Sequence, residues 1–227
     1  MNTSVAIKRR TVTSSVVDLI RDRIISGFYK GGQQIRQEAI AEEAGVSRIP
    51  IREALLQLEA EGLVVIHTHK GAVVASLTVE DAIDIFEARL ALEPFILKQA
   101  IERATDIDIE HVKHALADYS KGLEEKVAPA KLSELNWAFH KAMSRPARRP
   151  RSLALLSSLY NSADRYLRLQ IDARTAQAKA LEDHEALAAA FAEGNQTLAQ
   201  KLLKKHIADA RDDVIAGLKA LSDAENQ

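Results

Sequence analysis

The sequence predicts a mainly α-helical protein in two parts, a winged helix-turn-helix domain over residues 1–76 and an all-α six-helix bundle over residues 77–227. Three observations lead there. The stretch AIAEEAGVSRIPIREALLQLEAEGLV, residues 39–64, reads as two short helices joined at Gly45. The stretch LVVIHTHKGAVVASL that follows is β-branched on both sides of a polar tip, the pattern of a two-stranded hairpin. From Thr78 onward the apolar residues recur at helical spacing and no strand signal appears.

In the first part, Val16, Leu19, Ile20, Ile24 and Ile25 give helical periodicity over about Ser15 to Ser26, and Gly27 ends that helix. KGGQQ makes a turn, and a second helix is expected over Gln37 to Ala44. The third helix, about Arg48 to Glu61, opens with Ser47 placed to cap it by accepting from an orphan backbone N–H. Pro50 falls in its first turn, where a missing N–H costs little. Ile51, Ala54, Leu55 and Leu58 recur at helical spacing and must face inward, which leaves Arg48, Ile49 and Arg52 pointing outward. Two guanidinium forks at a helix N-terminus suit the edges of bases in a major groove, because one arginine donates two hydrogen bonds to a guanine. This helix is the candidate recognition helix. Thr68, His69, Lys70 and Gly71 form the tip of the hairpin, where a wing meets backbone phosphate.

In the second part, Thr78 and Asp81 have the spacing of a capping box and open a long helix to about Ala104 that contains Pro94, a point where it can kink. Five more helices are expected, at about Asp108 to Lys126, Ala130 to Ser144, Arg151 to Asp172, Ala178 to Glu193 and Gln196 to Leu221. The breaks between them are Thr105-Asp106, Ala128-Pro129, RPARRP and Gly194-Asn195.

Composition narrows the function. A hydrophobic share of 47% in 227 residues supports a real core. No run of about 18 apolar residues exists and the opening MNTSVAIKRRTVTSS lacks an apolar block, so a soluble, cytoplasmic protein without membrane contact is expected. The absence of cysteine excludes disulfides, zinc fingers and thiolate nucleophiles, and any metal must be held by nitrogen and oxygen. Residues 1–75 carry ten basic and eight acidic side chains and the rest carries 21 and 24, so charges of +2 and −3 make up the total of −1. A head this lightly charged binds DNA poorly alone, which favours a dimer presenting two heads.

Three of the seven histidines fall on apolar faces of three different helices. His140 shares its face with Leu132, Leu135, Asn136, Phe139 and Met143, and Asn136 lies one turn before it. His184 is in register with Leu181, Leu187, Ala188 and Phe191, and His206 with Leu202, Leu203, Ala210 and Val214. Imidazoles delivered to an interior by separate helices can converge on one point, as in metal sites of helix bundles. They can also be plain core histidines, each satisfied by a hydrogen bond, with dimerisation as the bundle's only task. His67 and His69 lie in the wing, His114 on an exposed face, and His111 borders an apolar one. Arg89 is in register with Ile85, Leu92 and Ile96, and a buried arginine must be paired. Glu93, one turn on, is one partner; an anionic ligand gripped by the guanidinium fork is the other.

At these residues the chain resembles GntR-family transcription regulators of the FadR/VanR branch, whose C-terminal helical domain is called FCD. The resemblance is carried by AEEAGVSRIPIREALLQLEAEGLV and THKGAVVA in the head, and by FEARLALEP, LNWAFH, DHEALAAAFAEGN and the late KKH, from about Val16 to Val214. It implies DNA contacts from Ser47, Arg48, Ile49, Pro50 and Arg52, with wing contacts near Thr68, His69 and Lys70. It also implies a metal site at Asn136, His140, His184 and His206, beneath a cavity into which Arg89 projects toward a small organic acid. The implied protein is a homodimeric repressor on a near-palindromic operator. Two residues depart from the family pattern: Asn136 stands where an aspartate is usual, and Arg36 where a small N-capping residue is usual, a change that either adds a phosphate or base contact or only weakens the cap. Three imidazoles and an amide leave a divalent cation its whole charge in a low-dielectric interior, so an anion should be wanted there and should bind cooperatively with the metal. Zinc suits nitrogen ligands best, with nickel, manganese or iron as alternatives. A metal-dependent hydrolase or oxygenase would need a base beside the cluster. Glu182, Asp183 and Glu185 are expected to face away from the interior, and no nucleophile motif is present.

Overall fold

A computed structural model describes residues 11–171 and 174–225. Contacts divide the chain into two compact units, Met1–Ser76 and Leu77–Gln227, and each has its own apolar core.

The first unit contains α1 (Val12–Ile25), α2 (Gln37–Ala44), α3 (Arg48–Ala60), β1 (Val64–His67) and β2 (Gly71–Val74). Helix α1 begins three residues before the apolar pattern does, because the Thr11 side chain accepts from the Ser14 N–H and caps it there. Its buried face, Val16, Val17, Ile20 and Ile24, packs on the Ile51, Ala54, Leu55 and Leu58 face of α3. Each fully buried Ile or Leu there contributes about 1.5–3 kcal/mol. The strands pair antiparallel from Val64↔Val74 to His67↔Gly71, and a bridge between Gln34 and Val73 ties the KGGQQ turn to the hairpin.

Ser47 occupies the N-cap of α3 with extended backbone angles, but its side chain makes no capping hydrogen bond. A capping side chain accepts from the second or third helical N–H, and Pro50 at the third position removes one of those two donors. Arg36 stands at the N-cap of α2 and likewise makes no side-chain cap.

The second unit contains α4 (Val79–Ile101), α5 (Asp106–Glu124), α6 (Pro129–Ser144), α7 (Pro150–Ile171), α8 (Arg174–Ala192) and α9 (Gln196–Glu225), with one 3-10 turn at Arg145–Ala147. Helix α4 is the centre of the bundle and packs against α6, α7 and α9. It runs unbroken through Pro94, whose carbonyl accepts from the Gln200 side chain of α9 at 3.0 Å. Thr78 caps α4 through the Asp81 N–H, but the Asp81 carboxylate does not complete a capping box. It accepts instead from the Tyr166 hydroxyl at 2.6 Å, which fastens the start of α4 to α7. The complete box belongs to α5, where Thr105 and Asp108 exchange hydrogen bonds between side chain and backbone. Phe86, Phe139, Leu156, Tyr166 and Phe191 lie in the core between the helices. No helix among the described residues is long and apolar enough to cross a membrane.

Candidate nucleic-acid interface and candidate metal centre

The opening turn of α3 carries the candidate reading residues on its outer side. Ser47, Arg48, Ile49 and Arg52 are exposed and Pro50 is half-buried, while Ile51, one position on, is fully buried. Ile49 is 68% exposed, which leaves its side chain available to a thymine methyl. Arg48 pairs with Glu38 of α2 at 2.7 Å, with both side chains largely in solvent. Arg52 has no hydrogen-bond or ion-pair partner among the described residues. Thr68, His69 and Lys70 form the exposed turn of the wing, and the left-handed backbone of Gly71 (φ 69°) closes it. The Gln34 side chain donates to the Lys70 carbonyl and fixes the tip from below. Arg36, also exposed, lies at the start of α2.

In the second unit, α6, α8 and α9 bring His140, His184 and His206 together, with one ligating nitrogen from each lying within 4.8 Å of the others. Ring centroids are 5.2 Å apart for His140 and His184, 4.9 Å for His184 and His206, and 5.4 Å for His140 and His206. His140 and His184 are buried, and burial, reinforced by the neighbouring imidazoles, holds both well below the usual histidine range. They are therefore neutral and keep a lone pair. Nε2 of His140 and both ring nitrogens of His184 are buried without a hydrogen-bond partner. Unsatisfied buried groups cost about 1–3 kcal/mol each, so the cluster is unfavourable as a plain core. It fits a divalent metal, which would take lone pairs where no proton donor is present.

Two of the imidazoles face a carboxylate and the third is held between rings. Nδ1 of His206 is 3.2 Å from Oδ2 of Asp183, and Nδ1 of His140 is 3.8 Å from Oε2 of Glu93. His184 is wedged between Tyr119 and Phe139, at ring distances of 4.8 and 4.5 Å. Burial pushes the Tyr119 hydroxyl up to about 12, so it remains a donor.

The cluster borders a cavity of about 80 Å³ whose wall includes Arg89, Asn136, His140 and His206 together with Ser133 and Asp183. His184 lies behind the wall, fully buried. Asn136 faces the cavity and makes no hydrogen bond among the described residues. Arg89 donates from Nε to Glu93 at 2.6 Å and lies 4.3 Å from the Tyr160 ring centre, but its Nη1 is buried and unpartnered. Burial opposes the Arg89 charge, and the Glu93 carboxylate together with Tyr160 more than offsets it, so the guanidinium stays protonated.

Asp183 corrects the sequence reading. Unlike Glu182 and Glu185, which are exposed, it turns toward α9 and the cavity. Helix α8 packs against α5, α7 and α9, so its inward arc is wider than one apolar stripe and takes in the residue beside His184. Tyr119, Tyr160 and Ser133 were also missed; on a helical wheel they are ordinary core residues. The remaining histidines, His67, His69, His111 and His114, are exposed and remote from the cluster in sequence.

Residues 84–209 match the FCD domain, and residues 12–74 match the domain described as "Bacterial regulatory proteins, gntR family". The chain belongs to the GntR family. Among GntR relatives, the HTH-type transcriptional repressor GlaR of Escherichia coli (strain K12) is 28% identical over 200 residues, covering 83% of this chain and 89% of the relative. The HTH-type transcriptional regulator YdhC of Bacillus subtilis (strain 168) is 29% identical over 124 residues, and that alignment spans 55% of each chain. A GntR transcriptional regulator from Rhodococcus sp. RHA1 has a similar solved structure, with a TM-score of 0.76 and 25% identity over 90% of this chain and 97% of the other. A GntR regulator is not an enzyme, which removes the hydrolase and oxygenase reading of the histidines.

Proposed function

We propose that this GntR-family chain is a homodimeric transcriptional repressor that binds a near-palindromic operator, and that a small carboxylate held beside a divalent metal in the bundle alters its operator affinity. The observation that carries the sensor half is the cavity that combines three converging imidazoles, nitrogens without partners, and the free Nη1 of buried Arg89. Support for the DNA half comes from the exposed opening turn of α3 and from the family match over residues 12–74.

In this reading Arg48 and Arg52 read base edges, Ile49 covers a thymine methyl, and Ser47, Pro50, Arg36, Thr68, His69 and Lys70 contact the backbone around them. His140, His184 and His206 hold the metal, with the Asn136 amide as a fourth contact. Zinc suits this donor set, and nickel, manganese or iron are the alternatives. Bound there, the ion supplies positive charge that attracts a carboxylate, while Arg89 grips the same anion through its unpartnered Nη1. The cavity volume limits the effector. A water needs roughly 10–15 Å³ of such volume, so about 80 Å³ has room for about five to eight groups of that size, the scale of a small organic acid.

Elemental analysis of the purified protein before and after dialysis against a chelator tests the metal, and operator binding by both samples tests its link to DNA. About one ion per chain, with a change in DNA affinity on its removal, is the expected result. Metal-free protein that binds no added Zn²⁺ would leave the histidines as core residues.

A further inference from the structure

The structure assigns Asp183 a role in holding the metal: it is the positioning residue that fixes His206 and supplies the negative charge that Asn136 lacks. This rests on the metal reading given above. The charge problem is set by the residues themselves. Three neutral imidazoles and an amide carry no negative charge, and a divalent cation in a buried site is strongly disfavoured without one. Two carboxylates flank the cluster. Glu93 is already matched by Arg89, its partner at 2.6 Å, so that pair contributes no net charge. Asp183 is different. Its nearest cationic neighbours, Lys179 and Lys205, are both paired with Asp209, at 2.8 and 2.7 Å. The partner of its own carboxylate among the described residues is His206.

The geometry defines how it acts. Oδ2 of Asp183 is 3.2 Å from Nδ1 of His206, so an imidazole that donates its proton there keeps its lone pair on Nε2, the nitrogen left for a metal. A hydrogen-bonded carboxylate makes that nitrogen a better ligand, and it brings a full negative charge to the far edge of the ring. The residue immediately before His184 thus reaches across to the histidine of the next helix. One short stretch of α8 provides a ligand directly and secures a second.

Zn²⁺ affinity, measured by competition with a chromophoric chelator, tests the assignment in four chains: wild type, Asp183→Asn, Asn136→Asp and the double variant. Asp183→Asn is expected to bind Zn²⁺ about 10–100-fold more weakly, the loss usual for a residue that orients a ligand. Asn136→Asp is expected to bind more tightly than wild type, and the double variant to recover most of the loss. Charge and architecture separate by background: a residue that supplies charge costs less on loss in the Asn136→Asp chain than in wild type, whereas one that merely joins α8 to α9 costs the same in both and would not have the role assigned here. Asp183→Asn that binds as tightly as wild type, or a double variant as weak as Asp183→Asn, overturns the role of Asp183. A wild type that binds no Zn²⁺ overturns the metal reading beneath it.

Discussion

The guanidinium of Arg89 is shared unequally: Nε donates to Glu93 at 2.6 Å, while Nη1, equally buried, has no partner. Pattern alone offered Glu93 or an anionic ligand as the partner of this arginine. One edge of the fork is committed to the carboxylate and another nitrogen is left free, so the two roles are compatible.

Removing the internal partner exposes what the pair contributes. Glu93→Ala leaves a charge 2% exposed without compensation, and the loss is expected to be about 3–5 kcal/mol in urea denaturation. Arg89→Lys keeps the charge and loses the fork, so it should weaken effector binding more than it weakens the fold. Calorimetric titration with small monocarboxylates and dicarboxylates on the Zn²⁺-loaded chain compares it with wild type.

Base reading and phosphate binding separate by mutation. Arg52→Ala is expected to cost about 1–3 kcal/mol on the preferred sequence and to relax selectivity, since an arginine fork discriminates guanine. Lys70→Ala should weaken all sequences alike and reduce the salt slope by about one. Gel shifts on operator and scrambled duplexes at several salt concentrations distinguish the two patterns.

In the proposed reading Arg48 contacts DNA, and Glu38 competes for its guanidinium. Their pair, at 2.7 Å, is exposed on both sides, and such pairs contribute little to folding. Glu38→Gln should therefore tighten operator binding by removing a competing and repelling carboxylate, with stability unchanged to within about 0.5 kcal/mol. Anisotropy titrations and thermal melts on the same variant check both halves.

The fold was legible wherever a single helix face decided it. The inward set Ile51, Ala54, Leu55 and Leu58, the hairpin around Thr68 to Lys70 and the six long helices all follow from spacing. What escaped depended on competition between neighbours. Ser47 has a capping residue's position but makes no cap, with Pro50 removing one of the two donors it could use, and Asp81 leaves its capping partner for a tyrosine 85 residues away. His140, His184 and His206 were legible because each lies mid-face on its helix. Asp183 was not, because its usefulness depends on where α9 lies, and a wheel drawn for α8 contains no such information.

The cap of α5 gives a dependence on acidity. Hydrogen bonds from Thr105, side chain first and then backbone, hold the Asp108 carboxyl below its usual range. A carboxyl lowered on folding contributes stability that is fully present above its unfolded pKa, about 3.9, and is lost as pH falls through the folded value. Asp108→Asn should remove that part of the acid sensitivity below about pH 4. Thr105→Ala should cost about 1 kcal/mol at neutral pH, read by faster amide exchange in the first turn of α5.

Selection of binding sites from a random duplex pool measures most directly whether this chain reads DNA as a pair of heads. Enrichment of a motif with two related half-sites about one helical turn apart, lost in Arg52→Ala, is the predicted result. A pool that emerges without any enriched sequence, from a wild-type chain shown to be folded, would contradict it.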